Sequence, residues 1–187
     1  MNAQGQSFQD LAASELFSAP GRYLEIGSGS PVRESNTYLL DTDFGWSGIC
    51  IDVDHWDYSC RSCQYVRDDA VQWMPRHIFG EKFDYISFDI DDATTLAVQV
   101  ALGNGIGFRF ATVEHDKYRC GYQHQNPQHQ MLSAAGYVPM FIDIPTKWDD
   151  KMFFEDWWCH PDVCNRTLGV GVTPMEALEK IKSLDRC

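Results

Sequence analysis

No apolar run in this chain of 187 residues approaches the ~20 needed to cross a bilayer. Basic residues are scarce: 15 lysines and arginines stand against 27 aspartates and glutamates, a formal net charge of −12. That balance removes the basic face of a nucleic-acid binder and the polybasic patch that docks on anionic lipid. There is no internal repeat, linker or low-complexity stretch. Met1-Asn2-Ala3-Gln4-Gly5 lacks the basic and apolar regions of a secretory signal, so the expectation is a cytoplasmic protein.

Hydrophobic residues are plentiful. At 44% of the chain they exclude global disorder, and the length suits one domain, residues 1–187, with a real core. Cysteine is also abundant. The seven residues are an odd number, so they cannot all pair within the chain. Cys60 and Cys63 form a C-x-x-C, and Cys159, His160 and Cys164 a second cluster; together they have the spacing of a four-ligand zinc site. The alternative is a set of free thiols packed as small apolar residues.

The pattern along the chain alternates strand and helix. A helix is expected from a capping-box-like start at Ser7 to about Phe17, followed by Pro20-Gly21. Strands are expected at Arg22–Ile26, Ser47–Ile51, Gln64–Arg67, Phe83–Phe88, Phe108–Val113 and Tyr137–Ile144, with an antiparallel seventh over Lys151–Trp158. Helices fall between them at Asn36–Phe44, Ala70–Phe79, Ala93–Leu102 and Pro127–Ala135. Thr173-Pro174-Met175-Glu176 opens a last helix with a capping box and a first-turn proline. The fold class is α/β, a seven-stranded, mostly parallel sheet with helices on both faces. Ligands on such sheets bind beyond the carboxyl ends of the strands.

The most informative stretch is Leu24-Glu25-Ile26-Gly27-Ser28-Gly29-Ser30. Strand, glycine turn, helix, then a second strand ending at Asp52 is how an α/β protein builds a nucleoside pocket. A dinucleotide fingerprint wants a third glycine, and that position is Val32. Glu25, before the first glycine, would repel a pyrophosphate by about 3 kcal/mol at ~5 Å and an effective dielectric of ~20. The same carboxylate attracts a cation. S-adenosylmethionine carries a sulfonium and an ammonium and no phosphate, so the pattern favours it over a nicotinamide dinucleotide. Taken alone, the two glycines need mean no more than backbone with positive φ.

Acids recur at the strand ends: Glu25, Asp52, Asp68 or Asp69, Asp89 and Asp91, and Glu114. Asp52 has the reach of a bidentate ribose acceptor, and Asp69 can accept from an adenine amino group. Asp89, Asp91 and Glu114 would lie nearer the transferred group, where they could hold a hard divalent ion such as magnesium. His115 is the alternative, as a general base. A solvated acidic rim and a solvated loop histidine are the bland readings of the same residues.

Glu25-Ile-Gly27-Ser-Gly29, then Ser35-Asn36-Thr37-Tyr38-Leu39-Leu40, then Gly45-Trp46-Ser47-Gly48-Ile49-Cys50-Ile51-Asp52 resembles the FkbM-like S-adenosylmethionine-dependent methyltransferases. Asp84 to Asp91 is similar to that family's fourth strand and Val113-Glu114-His115 to its fifth. The resemblance covers roughly residues 20 to 160. It departs after the fourth strand, where Asp91-Asp92 replaces a glutamate and a glycine. It implies a Rossmann-like fold and O-methylation of a small molecule or sugar. It also implies that Asn36 and Asp89 join Glu25, Gly27, Gly29, Asp52 and Asp69 around the cofactor, and that Asp89, Asp91, Glu114 and His115 serve catalysis. Two rival functions are a non-catalytic nucleoside-cofactor-binding protein and a nicotinamide-dependent enzyme.

Overall fold

The computed structural model describes residues 3–184. Eight strands form one sheet: β1 (Arg22–Ile26), β2 (Ser47–Asp52), β3 (Gln64–Arg67), β4 (Lys82–Phe88), β5 (Gly107–Glu114), β6 (Val138–Thr146), β7 (Asp149–Cys159) and β8 (Gly169–Val170). Their order across the sheet is β3-β2-β1-β4-β5-β7-β6-β8. All neighbours run parallel except at β7, which is antiparallel to both β5 and β6. The strand order reverses between β1 and β4, and there the loop after β1 leaves the sheet. Such a reversal leaves a crevice beyond the strand ends.

Helices α1 (Gln9–Leu16), α2 (Tyr38–Thr42), α3 (Ala70–His77), α4 (Thr94–Gly103), α5 (Lys117–Cys120), α6 (Gln125–Ala134) and α7 (Pro174–Lys182) complete the chain. A 3-10 turn, Asp91–Ala93, precedes α4. The central strands are buried on both faces, as parallel strands between two helical layers must be. Strand alternation divides their side chains. Leu24, Ile26, Ile86 and Phe88 pack with Trp73, Met74, Ala97 and Val98 of α3 and α4. Tyr23, Cys50, Tyr85 and Phe110 pack with Leu40, Ala12, Leu178 and Ile181 on the other side.

Three expectations need correction. The sheet has eight strands, not seven; the extra one is two residues long and pairs with Phe141 and Ile142 of β6. The first helix begins at Gln9 without a side-chain cap, because Ser7 Oγ donates instead to the Pro145 carbonyl at 2.6 Å. The helix after the glycine loop shrinks to five residues, Tyr38–Thr42, because residues 35–37 are bound to Glu25. The capping box at Thr173 and Glu176 forms as expected.

The cysteines do not gather. Cys60 is exposed, Cys63 hydrogen-bonds to Cys50, and Cys159 Sγ donates to the Cys164 carbonyl at 3.0 Å. His160 Nδ1 faces Asp162 at 2.6 Å. The C-x-x-C and the later cluster form no common metal site among the described residues.

Candidate functional site

The loop after β1 is shaped by Gly27 and Gly29. Gly27 has φ +80°, and a Cβ there would lie 1.7 Å from the Asp89 carbonyl oxygen. Only glycine lets β1 turn this close to the end of β4. Gly29 has φ +50° with open space beside it. Its N–H donates to Asp52 Oδ2 at 2.8 Å, and the Tyr58 hydroxyl lies 3.2 Å from both the Ser28 and Gly29 carbonyls. Asp52 Oδ1 accepts from the Asp54 N–H at 2.8 Å. The glycine loop and the second acid are therefore one hydrogen-bonded unit.

Glu25 does not face this loop. It is buried, and its carboxylate accepts from the Asn36 N–H and the Thr37 hydroxyl, both at 2.6 Å, and from the Ser35 hydroxyl at 3.2 Å. Burial pushes its proton affinity up, while Arg61 works in the opposite direction. Arg61 lies in the C-x-x-C segment, with its side chain wholly buried. Its Nε donates to Asp41 at 2.9 Å, Nη1 to the Pro31 carbonyl at 2.7 Å and to Ser35 at 3.1 Å, and Nη2 to Thr37 at 2.9 Å and Tyr23 at 3.2 Å. Glu25 and Arg61 thus hold residues 31–41 from inside. The expected cofactor contact at Glu25 is corrected to a scaffold role.

A cleft of about 520 Å3 opens beyond β1, β2 and β4. Its walls include Gly27, Ile51, Val53, Ala70, Ile90 and Leu96. Six aspartates also line it, Asp52, Asp54, Asp68, Asp69, Asp89 and Asp91, and no lysine, arginine or histidine does. Asp69 is partly committed elsewhere: Oδ1 caps α3 by accepting from the Val71 N–H at 2.9 Å, and Oδ2 accepts from Gln72. Asn36 is buried. Its Nδ2 donates to Ser87 at 3.0 Å and reaches Asp89 at 3.4 Å, so it orients an acid of the cleft.

A second cavity of about 310 Å3 adjoins the first. It is lined by Asp89, Asp91, Glu114 and Asp116 together with Gln6, Tyr118, Thr146, Met152 and Phe154. Asp89 and Asp91 belong to both cavities. Burial pushes Asp89 up to about 7, with the Glu155 charge adding to it. Burial, then the Asp89 charge, pushes Glu114 up to about 10. The two side chains share a hydrogen bond. At neutral pH Glu114 is the protonated donor and Asp89 the member that titrates. Another cavity of about 480 Å3 lies at the opposite ends of the strands, beside Gly21 and Asp84, away from the crevice.

The residues do not fit a magnesium ion. The trio that gathers is Asp91, Glu114 and Asp116, with one oxygen from each within 4.8 Å of the others; Asp89 is not part of it. Glu114 Oε2 already accepts from the Asp91 N–H at 2.7 Å and the Thr94 hydroxyl at 3.2 Å. Arg119 Nη2 sits 2.8 Å from Asp116 and 3.8 Å from Asp91, so a guanidinium supplies the positive charge. Added magnesium is therefore expected to leave the rate of any reaction at these acids unchanged. An activity that climbs with the ion would return them to a metal-binding role.

His115 is corrected as well. It is 1% exposed, and its Nδ1 accepts from the Lys117 N–H at 3.1 Å. That fixes the proton on Nε2, which donates to Asp156 at 3.2 Å. With both nitrogens engaged it is no free base. Burial opposes ionisation of Asp156, yet hydrogen bonds from His115 and His129 hold it well below the usual carboxylate range.

Sequence reasoning also missed Glu155, Asp116 and Arg61. Burial pushes Glu155 up to about 8, although Trp157 Nε1 donates to it at 2.7 Å and Gln9 Nε2 at 3.1 Å. Glu155, Asp89 and Glu114 all hold protons in the folded chain that an unfolded chain releases near pH 4. Their contribution to stability is present below that range and lost as pH rises through about 7, 8 and 10 in turn. Asp156 acts oppositely, and its contribution is lost only in acid. The melting temperature is expected to fall between about pH 6 and pH 9 in calorimetric scans. A flat or rising profile would mean that these acids are ionised when folded.

The chain matches no protein-family model and no curated protein. Among solved structures it is similar to 1,6-didemethyltoxoflavin-N1-methyltransferase of Burkholderia thailandensis, seen with 1,6-didemethyltoxoflavin and S-adenosylhomocysteine. That match has 14% identity over 81% of this chain and 76% of that one, with a TM-score of 0.45. It is also similar to a SAM-dependent methyltransferase from Archaeoglobus fulgidus, with 14% identity over 69% of each chain and a TM-score of 0.44. Likeness this distant assigns no activity to the chain.

Proposed function

We propose that the chain is an S-adenosylmethionine-dependent methyltransferase acting on an oxygen of a small molecule. The observation that carries this reading is the junction of the two cavities at Asp89 and Asp91. A cleft walled by six aspartates and no basic residue is hostile to a pyrophosphate and suits a nucleoside with a cationic tail. The cofactor, when bound, supplies a methyl group on a sulfonium.

The chain's own residues do the rest. Asp52, which pins the Gly29 N–H, is the acceptor for both ribose hydroxyls in this reading. Val53 on one side and Ile90 and Leu96 on the other offer apolar walls to a base. The smaller cavity holds the acceptor, aligned with the methyl group and the sulfur. Asp89 would take the proton of the acceptor hydroxyl, which the methyl group supplied by the cofactor would replace on oxygen. Glu114, protonated, donates to Asp89 and keeps it the ionised partner. Four acids around about 310 Å3 disfavour a carboxylate or phosphate acceptor and favour a neutral, hydroxyl-rich one.

Titration calorimetry tests the reading with S-adenosylmethionine, S-adenosylhomocysteine and NAD. Binding of the first two and silence with NAD is the expected result; NAD binding without a response to the adenosyl ligands would overturn it. Asp52→Ala should weaken S-adenosylhomocysteine about tenfold to a hundredfold, the worth of a charge-assisted hydrogen bond.

A further inference from the structure

The corner between α5 and α6 carries a cluster that the proposed reaction does not use. Asp92 lies in the 3-10 turn after β4, Cys120 ends α5, and His124 caps α6. One ligand atom from each lies within 4.8 Å of the others. His124 Nε2 is 3.5 Å from Asp92 Oδ1. Ligands of a tetrahedral zinc ion, at about 2.0–2.3 Å from the metal, lie about 3.3–3.8 Å from one another. Bringing the Cys120 thiol into that range takes a movement of at most about one ångström in a half-buried side chain.

The histidine carries the argument. Its Nδ1 lies 3.4 Å from the Thr95 hydroxyl, which in turn accepts from Gln128 Nε2 at 3.1 Å. This outer contact sets the ring's orientation, as it does for histidines that ligate metals. Nε2 is then left buried with no hydrogen-bond partner, facing Asp92 and Cys120. A buried nitrogen without a partner is costly and calls for an explanation. A neutral imidazole, a thiol and a carboxylate around one point make a donor set for a borderline-soft cation, unlike the all-oxygen set beside it. Arg119 Nη2 touches Asp92 Oδ1 at 3.1 Å, but it also holds Asp116 at 2.8 Å and keeps that partner if it leaves Asp92.

We propose that Asp92, Cys120 and His124 bind a divalent ion of the zinc type, which staples the turn after β4 to the α5–α6 corner. Water fills the fourth position. Binding releases the thiol proton to solvent as the metal–sulfur bond forms, with no change of oxidation state. The inference is independent of methyl transfer.

Cobalt(II) is the probe, added to the reduced, metal-free full chain. One equivalent should bind with the absorption of a tetrahedral ion and a thiolate-to-cobalt charge-transfer band. Cys120→Ser should abolish that band, whereas Cys60→Ser, at an exposed thiol, should leave it intact. His124→Ala should weaken binding about tenfold or more. Thr95→Val, which removes the outer contact together with the acceptor of the Gln128 bond, should weaken it about tenfold to a hundredfold with the fold preserved. A missing charge-transfer band in the native chain, or one that survives Cys120→Ser, would overturn the proposal.

Discussion

Asp89→Asn is expected to slow methyl transfer by about 10²–10⁴-fold, the usual worth of a positioned general base. Asparagine keeps the shape and can still bond Asn36 and Glu114, so S-adenosylhomocysteine affinity should change little. The pH profile separates the chemical effect from a structural one. In the native chain the rate should rise as Asp89 ionises through about pH 7, and in the variant that rise should vanish. Glu114→Gln is the contrasting case. Glutamine still donates to Asp89 and still accepts from the Asp91 N–H, so most of the activity should remain. Single-turnover rates from about pH 5.5 to 9 decide the matter. An Asp89→Asn enzyme within about threefold of native would remove the aspartate from the chemistry.

Arg61→Ala is expected to destabilise the fold by about 3–5 kcal/mol, since breaking a buried ion pair leaves its partner charge uncompensated. Here the loss falls on Asp41 directly and on Glu25 through Thr37 and Ser35. Set against a typical total of about 5–15 kcal/mol, that is enough to leave the chain marginal. Arg61→Lys should not rescue it, because an ammonium cannot reproduce the planar fork that binds the two carboxylate oxygens of Asp41 and four further acceptors. Urea unfolding measures the difference. A loss below about 1 kcal/mol would show that the surrounding hydroxyls suffice without the guanidinium.

The strands were legible because runs such as Phe83–Phe88 and Ser47–Ile51 are too apolar to be anything but buried on both faces. The acids at their ends were legible for the same reason: the last apolar residue marks the edge. The face each side chain takes was harder to read. Glu25 has the parity of Tyr23, so strand alternation turns it into the second core layer, beneath residues 35–37. His115 lies one residue past β5, and its N–H bonds back to the Phe154 carbonyl, which turns the ring inward towards Asp156. Arg61 left one usable trace. It is the only lysine or arginine between Arg33 and Arg67, in a stretch that holds six acids, Glu34, Asp41, Asp43, Asp52, Asp54 and Asp57, and one histidine. A lone cation in such company is a candidate for burial. The eighth strand, two residues long, leaves no periodicity to read.

The bonds of the first described residues reach almost the whole length of the chain. Lys147 Nζ donates to the carbonyls of Ala3, Gln4 and Gly5, Ser7 bonds Pro145, and Gln9 bonds Glu155 across 146 positions. During synthesis these bonds therefore cannot form until β6 and β7 have emerged, although α1 can already pack on Tyr23, Leu40 and Trp46. At about 5–20 residues per second that wait is roughly 7–30 s. Over that interval the centre of the sheet can assemble, β1 with β2 and β4, while the segment that carries Gln6 to the rim of the smaller cavity still lacks its bonds to β6 and β7. Chain topology makes closure of that cavity a late event in the birth of the protein, whatever the intrinsic stability of its walls.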